Sequence, residues 1–141
     1  MNNQKYSFQN INFTLVSVSF EQKQAVNQFV SPNIMDSFYG ENINRLGFSL
    51  VFERIVDFPN NVFFEIKVKY TINFLFDQTT SHYFNGQISL IEDYIETAGI
   101  NLLNSTPIIS QSSLIIANIT LIASGKPLIL PPAFNNKTQS R

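Results

Sequence analysis

The sequence is poor in the residues that build covalent frameworks and catalytic centres. Its 141 residues include no Cys, no Trp and one His, which is His82. Without cysteine the chain has no disulfide, no thiolate nucleophile and no Cys-ligated metal. A His-based metal site or a Ser-His-Asp triad would depend on that single imidazole. Because a glycine-rich phosphate-binding loop is also absent, we expect no cofactor, no metal, no catalytic residue and no enzymatic activity.

Charge is scarce as well. Charged residues make up 13% of the chain, and nine basic residues nearly balance ten acidic ones, giving a net charge of −1. This balance lacks the basic footprint of a protein that binds nucleic acid or anionic membrane. No run of about 20 apolar residues occurs, so we expect no membrane insertion. The first residues lack the apolar segment of a secretory signal, and we expect a cytoplasmic protein.

Large apolar side chains are abundant instead. The chain has 14 Phe and is 44% hydrophobic, with Asn, Gln and Ser between the apolar residues. This composition excludes a disordered polyelectrolyte and indicates one folded domain over residues 1–141. The interior of a domain this small has limited room for so many rings. The excess must lie between subunits, face a ligand or stay exposed.

Alternation of apolar and polar residues predicts three strands in the first half, at Tyr6–Phe20, Leu46–Glu53 and Val62–Phe76. The first changes parity near Leu15–Val16, which indicates either a bulge or a strand buried on both faces. Residues 22–43 have no clean period and contain Pro and Gly, so we predict a long loop there. A loop of about 20 residues in a small domain is often functional.

The second half combines a fourth predicted strand with a helix. Residues 82–91 are predicted to form the strand. Gly86 inside it indicates a bulge or a point where another part of the backbone approaches closely. Thr106 reads as the N-cap of a helix that ends before Gly125, and an extended apolar tail follows at Leu128–Phe134. The predicted fold class is α+β, with a four-stranded antiparallel sheet followed by one long helix.

This order and several local phrases resemble the SecB family of bacterial protein-export chaperones. Tyr6–Ile11 followed by Ser19–Glu21 is similar to the family's first strand, which ends in a Ser-Phe-Glu phrase. Pro107–Phe134 is similar to the end of the family's first long helix and the loop after it, especially in the divergent SecB-like branch. The resemblance covers nearly the whole chain and depends on order and spacing together.

The resemblance implies an ATP-independent holdase that binds unfolded client polypeptides in apolar grooves on its outside. It also implies a homotetramer, a dimer of dimers in which the subunit sheets pair into a larger sheet and the long helices lie between the dimers. The alternative for each implied client-binding residue is an ordinary place in the core. By position, these residues are Met35, Phe38, Tyr39, Leu46, Phe48, Leu50, Leu128, Leu130 and Phe134.

Coupling to the SecA motor is implied at one position only. Glu21 matches an acidic position on the sheet that faces SecA in the family, whereas Ser17 stands where another acid is expected. The matching position of the fourth strand falls at His82 or Tyr83. The sequence ends seven residues after Phe134, without the family's second long helix and acidic tail. A SecB-like chaperone for another client, such as an antitoxin, therefore fits as well as general export.

Two other readings stay open from the sequence. The chain also fits a small α+β module that binds an apolar ligand in a cavity. It fits equally a structural assembly subunit in which the aromatic residues all lie in interfaces. The position of the aromatic side chains, inside or outside a single subunit, separates these readings.

Overall fold

The computed structural model describes residues 6–28 and 30–135, which form four β-strands and three α-helices. Phe29, which the sequence placed in a loop, lies outside the described residues. A short 3-10 turn joins the third and fourth strands. The strands are β1 (Phe8–Gln22), β2 (Asn33–Asn44), β3 (Gly47–Asp57) and β4 (Phe64–Phe76), and the helices are α1 (Gln78–Phe84), α2 (Ile88–Asn104) and α3 (Ile108–Ser124).

The four strands form one antiparallel sheet in the order β1-β4-β3-β2. The central strands are β3 and β4, which carry the longest alternations of large apolar residues. Even-numbered residues of both strands point into the core, as in the pairs Leu50–Ile72 and Val56–Ile66. The two edge strands, β1 and β2, each have one side paired to the sheet and one side open. An open edge exposes unpaired backbone groups, which makes both strands potential pairing sites.

The helices cover one face of this sheet. Ile91 and Leu103 of α2 and Ile109 and Ile116 of α3 are fully buried against the apolar side chains of β3 and β4. Within the described residues, no single helix is long and apolar enough to cross a membrane. The pair α2 and α3 reaches that length and composition only together, with a bend of 55° at the junction.

Polar side chains set the helix ends. The Asp77 carboxylate caps α1 by accepting a hydrogen bond from the backbone N–H of Thr80 at 2.8 Å, which lowers the pKa of that carboxyl. Gly125 ends α3 in the left-handed conformation, with φ of 78°. Glycine adopts this conformation without the steric cost that a Cβ atom imposes.

Several predictions from the sequence are confirmed by this fold. The strands predicted at Tyr6–Phe20, Leu46–Glu53 and Val62–Phe76 correspond to β1, β3 and β4, and the helix before Gly125 is α3. The bulge is present as well, because the pairing of β1 with β4 shifts register between Leu15 and Ser17. The predicted α+β class and the predicted four-stranded antiparallel sheet are therefore confirmed.

The long loop predicted at residues 22–43 is wrong over its second half. Residues 33–44 form β2, which pairs with β3 from Asn33–Asp57 to Asn44–Gly47. The alternation of β2 was hidden because Asp36 and Gly40 occupy core-facing positions where an apolar residue was expected. Asp36 is compatible with burial only because Arg54 lies directly opposite it on β3.

The strand predicted at residues 82–91 is also wrong, and so is the single long helix. This region forms the end of α1 and the start of α2, and Gly86 lies between the two helices with φ of 72°. The isoleucines of α2 favoured a strand by composition, but their spacing places Ile91 and Ile95 on one buried helix face. Thr106 does not cap α3, because its hydroxyl donates a hydrogen bond back to the Leu103 carbonyl at 2.8 Å.

The sheet imposes a strict size limit at Gly47 and a looser one at Gly40. A Cβ atom on Gly47 would overlap the backbone carbonyl oxygen of Phe74, which the pairing of β3 with β4 holds in place. A Cβ atom on Gly40 would lie 3.0 Å from Cδ1 of Ile95, the mobile end of a side chain. We predict that Gly47→Ala lowers the free energy of unfolding by about 1–3 kcal/mol, whereas Gly40→Ala changes it by less than about 1 kcal/mol. Urea unfolding followed by circular dichroism measures both, and equal losses would contradict the prediction.

Candidate functional site

A shallow groove runs between the edge strand β2 and helix α2. We call it the β2–α2 groove, and its volume is about 360 Å³. Its lining is about equally polar and apolar: Phe38, Ile43 and Ile95 supply apolar side chains, and α2 supplies two carboxylates. The residues that line it are Phe38, Tyr39, Gly40 and Ile43 from β2, and Glu92, Ile95 and Glu96 from α2.

Two glycines bring the walls of this groove together. Gly40 leaves room for the side chain of Ile95, and Gly99 on α2 lies against the ring of Phe38, where a Cβ atom would overlap it. The helix therefore packs close to the edge of the sheet without covering it. Tyr39 keeps 53% of its surface exposed at this edge. Glu92 and Glu96 are exposed and make no salt bridge to any described residue.

The residues after α3 form a second element next to the groove. Residues 128–135, which we call the C-terminal strap, form an irregular segment with a bend at Pro132 and Ala133. Leu130 is buried, and the ring of Phe134 packs against the rings of Phe38 and Phe52 at centroid distances of 5.8 and 6.1 Å. Phe38 is therefore shared by the strap and the β2–α2 groove.

A buried ion pair anchors the strap. The guanidinium of Arg54 bonds both carboxylate oxygens of Asp36, with Nε–Oδ1 at 2.8 Å and Nη2–Oδ2 at 2.7 Å, and both side chains are fully buried. Its remaining donors reach Ser113 Oγ at 2.7 Å and the carbonyl oxygens of Pro131 and Ala133 at 2.9 and 3.1 Å. All five donors of the guanidinium are used, which is the condition under which a buried arginine is tolerated.

Strand β1 carries a separate apolar surface. Its core-facing side chains form a row that the helices do not reach, because the helical layer lies over β2, β3 and β4. Each side chain of this row is 37–44% exposed. We call it the β1 strip, and its members are Ile11, Phe13, Leu15, Val18 and Phe20.

The structure brings together only some of the client-binding residues predicted from the sequence. Phe38 lines the groove, and Phe134 packs on Phe38 from the strap. Tyr39 belongs to the lining at the strand edge, but it lies on the odd-numbered side of β2, away from the helices. Leu128 lies half-buried at the start of the strap, and Leu130 is buried beneath it.

The other predicted client-binding residues lie elsewhere. Met35 is half-buried and belongs to the odd-numbered side of β2, away from the helices, because it pairs with Ile55. Leu46 is exposed at the β2–β3 hairpin. Phe48 and Leu50 point into the core, with 3% and no exposed surface, so a client has no access to them in this subunit. The sequence indicated their parity correctly, but it did not reveal that helices cover that side.

Sequence reasoning also missed half of the groove. Ile43 was assigned to a loop, and Ile95, Glu92 and Glu96 were left without an assigned element. The spacing of Ile91, Ile95 and Gly99 is the signal that would have identified the helix, since it repeats every four residues along one face. The β1 strip was recognised as a strand, but not as a surface.

Glu21 lies where an acidic contact with a motor was implied, on the face of the sheet opposite the helices. Lys23 Nζ donates a hydrogen bond to its carboxylate at 2.7 Å, which lowers the pKa of Glu21. Lys67 and Lys69 lie on the same face, so its charge is mixed. His82 and Tyr83 lie on α1, not on a strand, so their match to the family's fourth strand is wrong.

A second cavity, of about 480 Å³, lies at the β3–β4 turn, where its lining includes Asp57, Pro59, Asn60 and Glu65. In residues 6–28 and 30–135, no group of three or more His, Asp or Glu side chains is placed to hold a metal ion.

Comparison with solved structures connects this arrangement to a known fold. The chain matches the SecB-like chaperone Rv1957 of Mycobacterium tuberculosis, solved in complex with a ChAD peptide from the Rv1956 HigA1 antitoxin, with a TM-score of 0.59 over 89% of this chain and 87% of that chain. The fold is SecB-like. Sequence identity over the match is 12%, so the likeness shows the fold alone. No protein-family model and no curated protein matches the chain.

The ion pair that anchors the strap gives a stability prediction. Arg54→Met leaves the Asp36 carboxylate buried without its partner, and we predict a loss of about 3–5 kcal/mol in the free energy of unfolding. The double variant Asp36→Leu with Arg54→Met removes both charges, and we expect it to recover a large part of that loss. Lys23→Met, which removes an ion pair at the surface, is the control and is expected to change stability little. Urea unfolding measures the whole set. A double variant as unstable as Arg54→Met would contradict the prediction.

Proposed function

We propose that this protein is an ATP-independent holdase that keeps polypeptide clients unfolded. The observation that carries the proposal is the β2–α2 groove on a SecB-like fold. There the apolar side chains of Phe38, Ile43 and Ile95 lie beside an open strand edge. A client segment in extended form would pair its backbone with β2 and place alternate apolar side chains in the groove. The proposal needs no catalytic group, no nucleotide and no metal, and it places the protein in the cytoplasm.

Assembly into a homotetramer belongs to the same proposal. The β1 strip and the open edge of β1 together form an apolar, unpaired surface, which a second copy would cover by pairing β1 with β1. On α3, Leu114, Leu121 and Ile122 are exposed, with 86% of Ile122 open to solvent. These residues would lie between two such pairs, giving a dimer of dimers.

The choice of client is a second part of the proposal. The solved neighbour holds a peptide from an antitoxin, which favours a dedicated client of that kind over general protein export. The sheet face around Glu21 points the same way. Glu21 is paired to Lys23, and Glu65, which lies opposite Glu21, is paired to Lys67, so the charge of this face is mixed and lacks the acidic character that SecA coupling implies. We therefore leave SecA out of the proposed partners.

Client binding is tested by a fluorescence titration without nucleotide. The probe is reduced and carboxymethylated α-lactalbumin, which stays unfolded. We predict binding by the unmodified protein and an approximately tenfold weaker affinity for Ile43→Ala, since a side chain buried at a contact is worth about 1–2 kcal/mol. Tyr83→Ala is the control, because Tyr83 is 44% exposed on α1 outside the groove. Absence of binding by the unmodified protein, or equal weakening by the two variants, would refute the groove as the client site.

Assembly is tested by light scattering. We predict a mass of about four times the 16.1 kDa subunit, and a smaller species for Phe13→Asp, which places a charge inside the apolar strip. Ser19→Asp is the control, because Ser19 lies on the other face of β1 opposite Lys67, where an added carboxylate finds a cation. A monomeric unmodified protein would contradict the proposed assembly.

A further inference from the structure

The C-terminal strap is held in the way that a bound peptide is held. Its backbone contacts are made mainly by side chains of the rest of the chain, not by a sheet ladder. The N–H groups of Leu128, Phe134 and Asn135 donate to Thr120 Oγ1 at 2.7 Å, Asn104 Oδ1 at 2.9 Å and Asp36 Oδ2 at 2.7 Å. The carbonyl groups of Pro131 and Ala133 accept from Arg54.

These contacts are independent of the strap's own side chains. Arg54 donates to the carbonyl oxygens of residues 131 and 133, and Asp36 accepts a hydrogen bond from the N–H of residue 135. The chain bends at residues 132–133 between these contacts, so the strap presents the groups of a bent segment and not those of a regular strand. Any segment that can adopt the same bend offers the same groups, and Pro131 and Pro132 satisfy the pattern because no contact uses their nitrogen atoms.

The side chains of the strap occupy two apolar positions on the same surface. Leu130 is buried in the core cluster, and Phe134 covers the rings of Phe38 and Phe52. Without the strap, these positions and the two anchoring charges would form a continuous apolar surface with polar groups at fixed intervals. This surface joins the β2–α2 groove at Phe38.

We propose that the surface beneath the strap is a second peptide-binding site, which the chain's own residues 128–135 occupy in this state. Its ligand is an apolar segment of a client that bends as the strap does, with an aromatic residue at the position that Phe134 takes. The strap is then a competitor of the client. This inference rests on the proposed holdase function and deepens it, because it assigns the strap residues a role opposite to that of client contacts.

Replacement of the strap by a client segment conserves the hydrogen bonds of the buried polar groups. Release of the strap alone would leave two donors of Arg54 and one acceptor oxygen of Asp36 without their strap partners, which is costly for groups that are fully buried. A client segment supplies equivalent carbonyl and N–H groups. A client therefore displaces the strap more readily than the strap opens on its own. The buried polar groups keep hydrogen-bond partners in the client-bound state, as they do in the strap-bound state.

The experiment compares client affinity in variants that loosen the strap. Asn104→Ala removes the acceptor for the Phe134 N–H from an exposed position, so folding is retained. Asn101→Ala, one turn earlier on α2 and exposed, is the matched control. We expect Asn104→Ala and Phe134→Ala to bind unfolded α-lactalbumin about three- to tenfold more tightly than the unmodified protein, because the binding-competent fraction rises. The control is expected to bind like the unmodified protein.

A thiol probe reports the movement directly, since the chain has no cysteine of its own. In Leu130→Cys, we expect the client to accelerate thiol labelling, whereas Ile116→Cys, in the core of α3, labels at a rate that the client does not change. Weaker client binding by Phe134→Ala would overturn the inference, because Phe134 would then contact the client. Unchanged affinity and unchanged labelling would also overturn it, while client binding by the unmodified protein would leave the holdase proposal standing. If neither the unmodified protein nor Asn104→Ala binds the client, both proposals fail.

Discussion

The buried ion pair between Arg54 and Asp36 is the interaction on which the rest of this end of the molecule depends. It joins β3 to the edge strand β2, and through Ser113 and the carbonyl groups of the strap it also reaches α3 and the C-terminal segment. Burying two charges costs free energy, which good geometry and complete hydrogen bonding offset. The pair adds directional contacts to the apolar core, and these fix where β2, α3 and the strap meet.

The same pair explains why β2 was not foreseen. A strand whose core face reads Ile34, Asp36, Phe38 and Gly40 shows no apolar alternation, and its charge becomes acceptable only when Arg54 is known to face it. By contrast, β4 was predictable because its alternation is unbroken, and the end of α3 because Gly125 marks it. Helix α2 was misread because isoleucine favours strands by composition, whereas here packing against the sheet decides its conformation.

The candidate site was less predictable than the fold. Alternation reveals which side chains share a face of a strand, but not whether another layer covers that face. Phe48 and Leu50 share their face with Phe13 and Leu15 of β1, yet the first two are buried and the last two are exposed. The difference arises because the helical layer covers three strands of the four. Its width depends on contacts between distant segments, which no local pattern records.

The position of the two open edges on opposite sides of one sheet has a consequence for valency. If two copies join at β1, their β2 edges lie at the far ends of eight strands, roughly 30–35 Å apart at about 4.8 Å per strand. About ten residues of extended chain span that distance, so one long polypeptide can engage both ends at once. Under the proposed function the second contact is then intramolecular, and two weak grooves together would retain long chains tightly while releasing short peptides.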